Sequence, residues 1–350
     1  MGETVNWIKG WDSTGAISIA LFLFLGILLV ILSIQIVKNT HVLNAKSKFS
    51  SGLIGGVLLA IITASPEFIT SIQQSLLGNP AAGTADVIGA NAIAGFAIAI
   101  SAVIFIRETF IKRLKVWTIA SLWISFTCSL AITLVMIFKA DINIGVVGKY
   151  AIGIFPIILF LIFLATTYLQ SKFGNEINKT HKNKYIQKTT KQKAWIKFLF
   201  LGFLLVIVSV VINWFAASIE EIYNIPSESV GGLFLSFVMS LPELIAFFSM
   251  MHAKQHTTAI AILIGHGFAL FFAEWLGDLS FTPTATYTNP EVHDNWTLSL
   301  ITTIIFFIIS ILPILSKKIK IFQNKYVYLI LPVIAIFTYV IGWILILSLG

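Results

Sequence analysis

Charge is what this chain has least of. Only 11% of its 350 residues are charged and 57% are hydrophobic, with a mean hydropathy of +0.94. A soluble domain carries about 25% charged residues to cover its surface, so a water-soluble globular protein is excluded. Cysteine is nearly absent: the single Cys128 lies in an apolar run. That rules out a disulfide framework or a cysteine metal centre and reads as a small buried hydrophobe. No HExxH, P-loop or nucleophile elbow is present, so neither an enzyme nor a resident cofactor is expected. Residues 1–14 hold one lysine before the first apolar run, a poor signal-peptide start, so that run is expected to be retained.

What is there is a series of apolar runs, each about 20 residues or more, the length that crosses a bilayer. Ten are expected: 16–37, 51–77, 84–106, 116–138, 150–170, 195–217, 230–251, 257–277, 297–316 and 326–349. The net charge of +8 comes from lysines in the short segments between them, which reads as topology rather than nucleic-acid binding. With the amino terminus outside, 20 of the 23 Lys and Arg residues fall on the inner side, leaving only Lys9, Lys139 and Lys149 outside. Such a bias places both termini outside and predicts a multi-pass protein of the cell membrane, with the lipid bilayer as its surroundings.

The long polar stretch, 172–194, divides the chain into residues 1–171 and 195–350, five spans on each side. With an odd number of spans per half, the second half enters the membrane in the opposite orientation. The fold class expected is therefore an all-α polytopic membrane protein of two inverted five-helix repeats. The basic linker is expected on the inner side, as a plain connection or a weak anchor to anionic lipid.

The two halves share a motif. Gly55-Gly56-Val57-Leu58-Leu59-Ala60-Ile61-Ile62-Thr63-Ala64-Ser65-Pro66-Glu67-Phe68-Ile69 returns, 176 residues on, as Gly231-Gly232-Leu233-Phe234-Leu235-Ser236-Phe237-Val238-Met239-Ser240-Leu241-Pro242-Glu243-Leu244-Ile245. The same offset pairs Ile88-Gly89 with Ile264-Gly265. A carboxylate inside an apolar span costs about 2.5–3.5 kcal/mol on insertion scales, which marks Glu67 and Glu243 as functional. Pro66 and Pro242 each remove a helix hydrogen bond and free a carbonyl, and in a membrane a bound cation is one available partner for it. Thr63 and Ser240 share a helix face with their carboxylates. Carboxylate, hydroxyl and free carbonyl are the hard oxygen ligands that Na⁺ or Ca²⁺ takes.

Ser65-Pro66-Glu67 and Ser240-Leu241-Pro242-Glu243-Leu244 resemble the Thr-Ser-x-Pro-Glu-Leu cores of the two α-repeats of the sodium/calcium exchanger family, within the calcium/cation antiporter superfamily. Gly89-Ala90-Asn91 is similar to the Gly-Ser-Asn of the same repeat. The resemblance covers about 51–105 and 227–280. It implies antiport of Ca²⁺ or another cation against Na⁺ or H⁺, at sites between the second, third, seventh and eighth spans.

The departures are chemical. Thr63 is followed by Ala64, and Ser240 is preceded by Met239. The family's Gly-Ser-Asn-x-x-Asn becomes Gly89-Ala90-Asn91-Ala92-Ile93-Ala94. Its Gly-Ser-Asn-x-x-Asp becomes Gly265-His266-Gly267-Phe268-Ala269-Leu270. Four oxygen ligands are lost and an imidazole is gained. His266 could carry the coupling proton, add a nitrogen ligand that tilts selectivity towards Mn²⁺ or Zn²⁺, or serve only as a hydrogen-bonding group between helices.

Asn91 and the small residues Gly89 and Gly265 are expected in close helix packing beside the site. Asp86 is expected to cap the outer start of its helix, and Glu274 to reach the outer water or attract cations. The function expected is secondary active cation antiport by alternating access. The alternatives are a transport-inactive scaffold and a proton-coupled transition-metal transporter. Inorganic cations are the expected partners.

Overall fold

The computed structural model describes residues 2–46, 54–105, 114, 116–147, 150–173, 188–226, 229–252, 256–281 and 284–349. Nearly all of them are helical. In chain order the helices are α1 (Gly2–Trp11), α2 (Ala16–Lys46), α3 (Ala60–Thr63), α4 (Ser65–Leu76), α5 (Pro80–Ile104), α6 (Val116–Phe138), α7 (Ile154–Phe173) and α8 (Lys191–Tyr223). Then come α9 (Ser236–Met239), α10 (Leu241–His252), α11 (His256–Ser280), α12 (Pro290–His293), α13 (Trp296–Lys318) and α14 (Lys325–Leu349). The π-helical turns Ile54–Leu59 and Val230–Leu235 lead into α3 and α9.

Seven of these helices are long and apolar enough to cross a membrane, or eight if the bent pair Val230–Met239 and Leu241–His252 is one span. Three expected spans differ from the structure; one, 230–251, is the bent pair interrupted at Ser240. The run 51–77 is broken at Ala64, and its first three residues lie outside the described ones. The run 150–170 starts in an antiparallel hairpin of β1 (Asn143–Val147) and β2 (Tyr150–Gly153). The β-branched residues Ile144, Val146, Val147 and Ile152 favour extended chain there, and helix begins only at Ile154, with Pro156 in its first turn. Of the basic linker, 174–187 lie outside the described residues.

Helix length and burial sort the layers. The 31 residues of α2 and 33 of α8 are each about 45–50 Å long at 1.5 Å per residue, more than a hydrocarbon core of about 30 Å. The two pack together at the periphery. Leu23, Phe24 and Ile27 on α2 and Leu199, Phe200 and Phe203 on α8 are exposed, as suits surfaces solvated by lipid. By contrast, α5 and α11 are central: 78% of the most apolar stretch of each is buried.

The helix ends meet at two faces. At one, which we call the hairpin face, Gly153 N–H donates to Asp278 Oδ2 (2.9 Å) and Asn295 Nδ2 to the Ala81 carbonyl (2.9 Å). Asn79 Nδ2 donates to Glu220 Oε1 (2.9 Å) and Lys9 pairs with Glu221 (2.6 Å) at the same face. At the other, the linker face, Lys46 donates to the Thr189 carbonyl (2.8 Å) and Lys317 to that of Leu114 (3.2 Å).

Candidate cation site

Both Pro-Glu segments are interrupted helices, built alike. Each begins with a π turn at a Gly-Gly pair, continues for one α-helical turn and breaks at one residue. That residue is Ala64 in one (φ −82°, ψ −2°) and Ser240 in the other (φ −79°, ψ −2°). The helix then restarts with proline and glutamate in its first turn. Pro66 and Pro242 are thus not kinks inside a continuous helix, as the sequence suggests. They stand where a missing N–H costs least. Glu67 and Glu243 sit at the positive ends of α4 and α10, in the interior of the protein. The Ser65 hydroxyl donates to the Ile62 carbonyl at 2.7 Å, the carbonyl that the proline leaves without its helical donor.

The two restarts face one another across α11. His266 Nε2 lies 3.4 Å from Glu67 Oε1 and 3.2 Å from Glu243 Oε1. Donor atoms of the three side chains lie within 4.8 Å of one another. The Ser240 hydroxyl, on the second repeat, donates to Glu67 Oε1 on the first at 3.5 Å. All three are buried to within 1%. Glu67 Oε2, both oxygens of Glu243 and both ring nitrogens of His266 lack a hydrogen-bond partner. Carboxylates so placed need balancing positive charge, supplied by a proton, an imidazolium or a metal cation.

Thr63, the other predicted hydroxyl, is buried, but it donates back along its own helix to the carbonyls of Leu59 (3.0 Å) and Ala60 (3.2 Å). Ser240 reaches the carboxylates because it occupies the break itself, while Thr63 lies one residue before it. Gly89 is a close crossing: a Cβ there would run into the Gly232 carbonyl and the Ser236 side chain. Asn91 faces α11, where a Cβ on Gly267 would lie 2.7 Å from its Oδ1. Gly265 is buried beside His266.

Two of the positions that lack the family's oxygens, Ala90 and Leu270, lie among hydrocarbon. They pack with Val87, Ala273 and Phe68 in one apolar cluster. Two outlying residues correct the expectations. Asp86 does not cap its helix. The cap is Asn79, whose Oδ1 accepts from Ala82 N (3.1 Å), followed by Pro80. Asp86 therefore lies inside α5, fully buried. Glu274 is 1% exposed and does not reach water. The Asn79-Pro80 pair is a readable helix start, and reading it would have placed Asp86 in the interior.

This architecture has counterparts of known structure. The sodium-calcium exchanger NCX_Mj soaked with 10 mM Na⁺ and zero Ca²⁺ superposes with a TM-score of 0.59 at 18% identity, covering 92% of this chain and 99% of that one. NCX_Mj soaked with 10 mM Na⁺ and 10 mM Sr²⁺ gives 0.59 at 17% identity, with 91% and 97% covered. Residues 17–169 match the sodium/calcium exchanger protein family. The resemblance read in the Pro-Glu motifs is thus met by the first half of the chain and by the fold of the whole. No curated protein sequence matches the chain. The imidazole on α11 between the two glutamates stands where the family's Gly-Ser-Asn-x-x-Asp motif has serine.

Proposed function

We propose that the chain is a secondary active cation antiporter whose cargo binds between Glu67, Glu243, Ser240 and His266. It exchanges Ca²⁺ or another cation for Na⁺ or H⁺ by alternating access. The observation that carries this is the meeting of two interrupted helices from opposite halves of the chain at one buried acidic cluster. Four carboxylate oxygens, the Ser240 hydroxyl and the His266 nitrogen reach the lower end of the about 6–8 ligands Ca²⁺ takes.

The same reading takes the fold as ten spans in two inverted halves, 1–171 and 195–350. The ends of the helices support it. The segment after α4 meets the end of α8 at the hairpin face through Asn79 and Glu220. The second π turn starts at that same face, its Gly231 against the Ala82 carbonyl. The two Pro-Glu segments then run in opposite directions, and the hairpin face is the outer one, with both termini.

His266 favours a second reading. Two carboxylates and an imidazole suit borderline divalent ions such as Mn²⁺ or Zn²⁺, and the same three groups can hold protons when the metal leaves. Flux in proteoliposomes tests both. ⁴⁵Ca²⁺ and ⁵⁴Mn²⁺ uptake is measured under an imposed Na⁺ gradient and, separately, a proton gradient. Uptake of either ion driven by either gradient supports antiport, and the favoured ion and gradient choose between the readings. No gradient-driven uptake of any cation would leave a transport-inactive scaffold.

A further inference from the structure

A second set of carboxylates lies on the hairpin side of the Glu67–Glu243 cluster. Asp86 is fully buried, and neither of its oxygens has a hydrogen-bond partner. It lies within electrostatic reach of both Glu67 and Glu274, with the Thr70 hydroxyl close by. Glu274 Oε1 is likewise buried and unpartnered. The Tyr287 hydroxyl, wholly buried, is directed at Glu274 without closing a good hydrogen bond. Among the described residues neither acid has a basic partner. Bare carboxylates in such a place are costly unless something positive joins them.

Packing does not require them, as the repeat itself shows. At the offset of 176, the mates of Thr70, Asp86 and Glu274 are Ala246, Ile262 and Ile98. Ile262 and Ile98 are 0% and 1% exposed, so the same two helical positions are filled by hydrocarbon on the linker side. On the inverted reading, matching positions of the two halves thus carry unlike chemistry: oxygen towards the hairpin face, and isoleucine towards the linker face.

We propose that Asp86 and Glu274, completed by the Tyr287 hydroxyl, form a second cation site between the hairpin face and the Glu67–Glu243 cluster. Its donors are all oxygen, so it takes a hard cation of the Ca²⁺ or Na⁺ class. It serves as a station on the way to or from the central site, and among the described residues the linker side has no counterpart. The role as a station rests on the antiport reading above; the binding site itself stands on residues of its own.

Tb³⁺, a hard ion that substitutes for Ca²⁺ and luminesces when an aromatic ring beside it is excited, is the probe. The purified full chain in detergent is titrated with Tb³⁺ and then with competing Ca²⁺. In Glu67→Gln/Glu243→Gln, which removes the central charges, a Ca²⁺-displaceable Tb³⁺ component should remain. Adding Asp86→Asn and Glu274→Gln should abolish it. Each of these two changes alone should weaken it about tenfold, since ligand charge tunes such sites. Size exclusion and near-ultraviolet dichroism confirm folding, and the single variants serve if the double one does not fold. Loss of all displaceable Tb³⁺ in Glu67→Gln/Glu243→Gln would overturn the proposal. So would a component that persists after Asp86 and Glu274 are neutralised. Failure of the antiport reading looks different: the second site binds Tb³⁺, yet no gradient drives flux.

Discussion

Replacing Glu243 with glutamine is the most direct test of the central site, because the change keeps shape and hydrogen-bonding capacity while removing one charge. With an effective dielectric constant of about 20, two unit charges about 4 Å apart interact by about 4 kcal/mol, and a divalent ion with a carboxylate by about 8 kcal/mol. Much of this is offset, since the neutral amide spares the protein the desolvation of a carboxylate. If three quarters is offset, about 2 kcal/mol remains, or about thirtyfold in affinity. Neither Glu243 oxygen closes a hydrogen bond, and glutamine can still accept from His266 Nε2 at 3.2 Å, so the fold should be retained. The assay is Ca²⁺ or Mn²⁺ binding to the purified protein, alongside uptake in proteoliposomes. Affinity should fall by at least about thirtyfold and uptake should vanish, with an unchanged elution profile. The same holds for Glu67→Gln. A loss smaller than about threefold in both variants would refute the placement of the cation between these carboxylates.

Removing the imidazole in His266→Ser should flatten any dependence of flux on pH between about 5.5 and 8, where histidine normally titrates, and strengthen dependence on Na⁺; wild-type flux indifferent to pH there would end the proton role. Gly89→Ala should destabilise the protein by about 1–3 kcal/mol, because the new methyl meets a backbone carbonyl that cannot swing aside. Melting in detergent reads it, with Gly10→Ala, where nothing lies within 4 Å, as the neutral control. Asp12 precedes α2, where burial pushes its pKa up but hydrogen bonds from Ser18, Ile17 and Thr14 outweigh that and hold it low. Its contribution should be present at neutral pH and disappear as pH falls through the lowered value, so the melting difference between wild type and Asp12→Asn should vanish in acid. Single cysteines at Thr14 and Lys182, in a Cys128→Ser background, should label from opposite sides of the membrane. Labelling from one side would defeat the inverted arrangement.

The sequence by itself determined the class of the protein and marked the two glutamates at the centre of the proposed site. Composition excludes a soluble domain because too few residues can face water. A glutamate in an apolar run is legible because its cost has to be repaid by function, and its return at a fixed offset makes coincidence a poor explanation. The likeness of the Pro-Glu motifs to exchanger repeats was readable for the same reason, since so few residue types satisfy freed carbonyls in a membrane.

Only the tertiary structure decided what meets what. Thr63 and Ser240 look equivalent from their spacing to glutamate. One residue of offset puts Ser240 at the break and Thr63 on a helical turn, so Ser240 reaches Glu67 and Thr63 bonds to its own backbone. Asp86 looks like a cap until Asn79 is seen to fill that role. The positions of Ala90 and Leu270 show lost ligands in sequence but a closed apolar cluster in space. His266 has no local signal that aims it at two carboxylates from other helices. Sequence fixes which groups a helix carries along its length, whereas the crossing of α4, α10 and α11 decides which of those groups share a volume of a few ångströms.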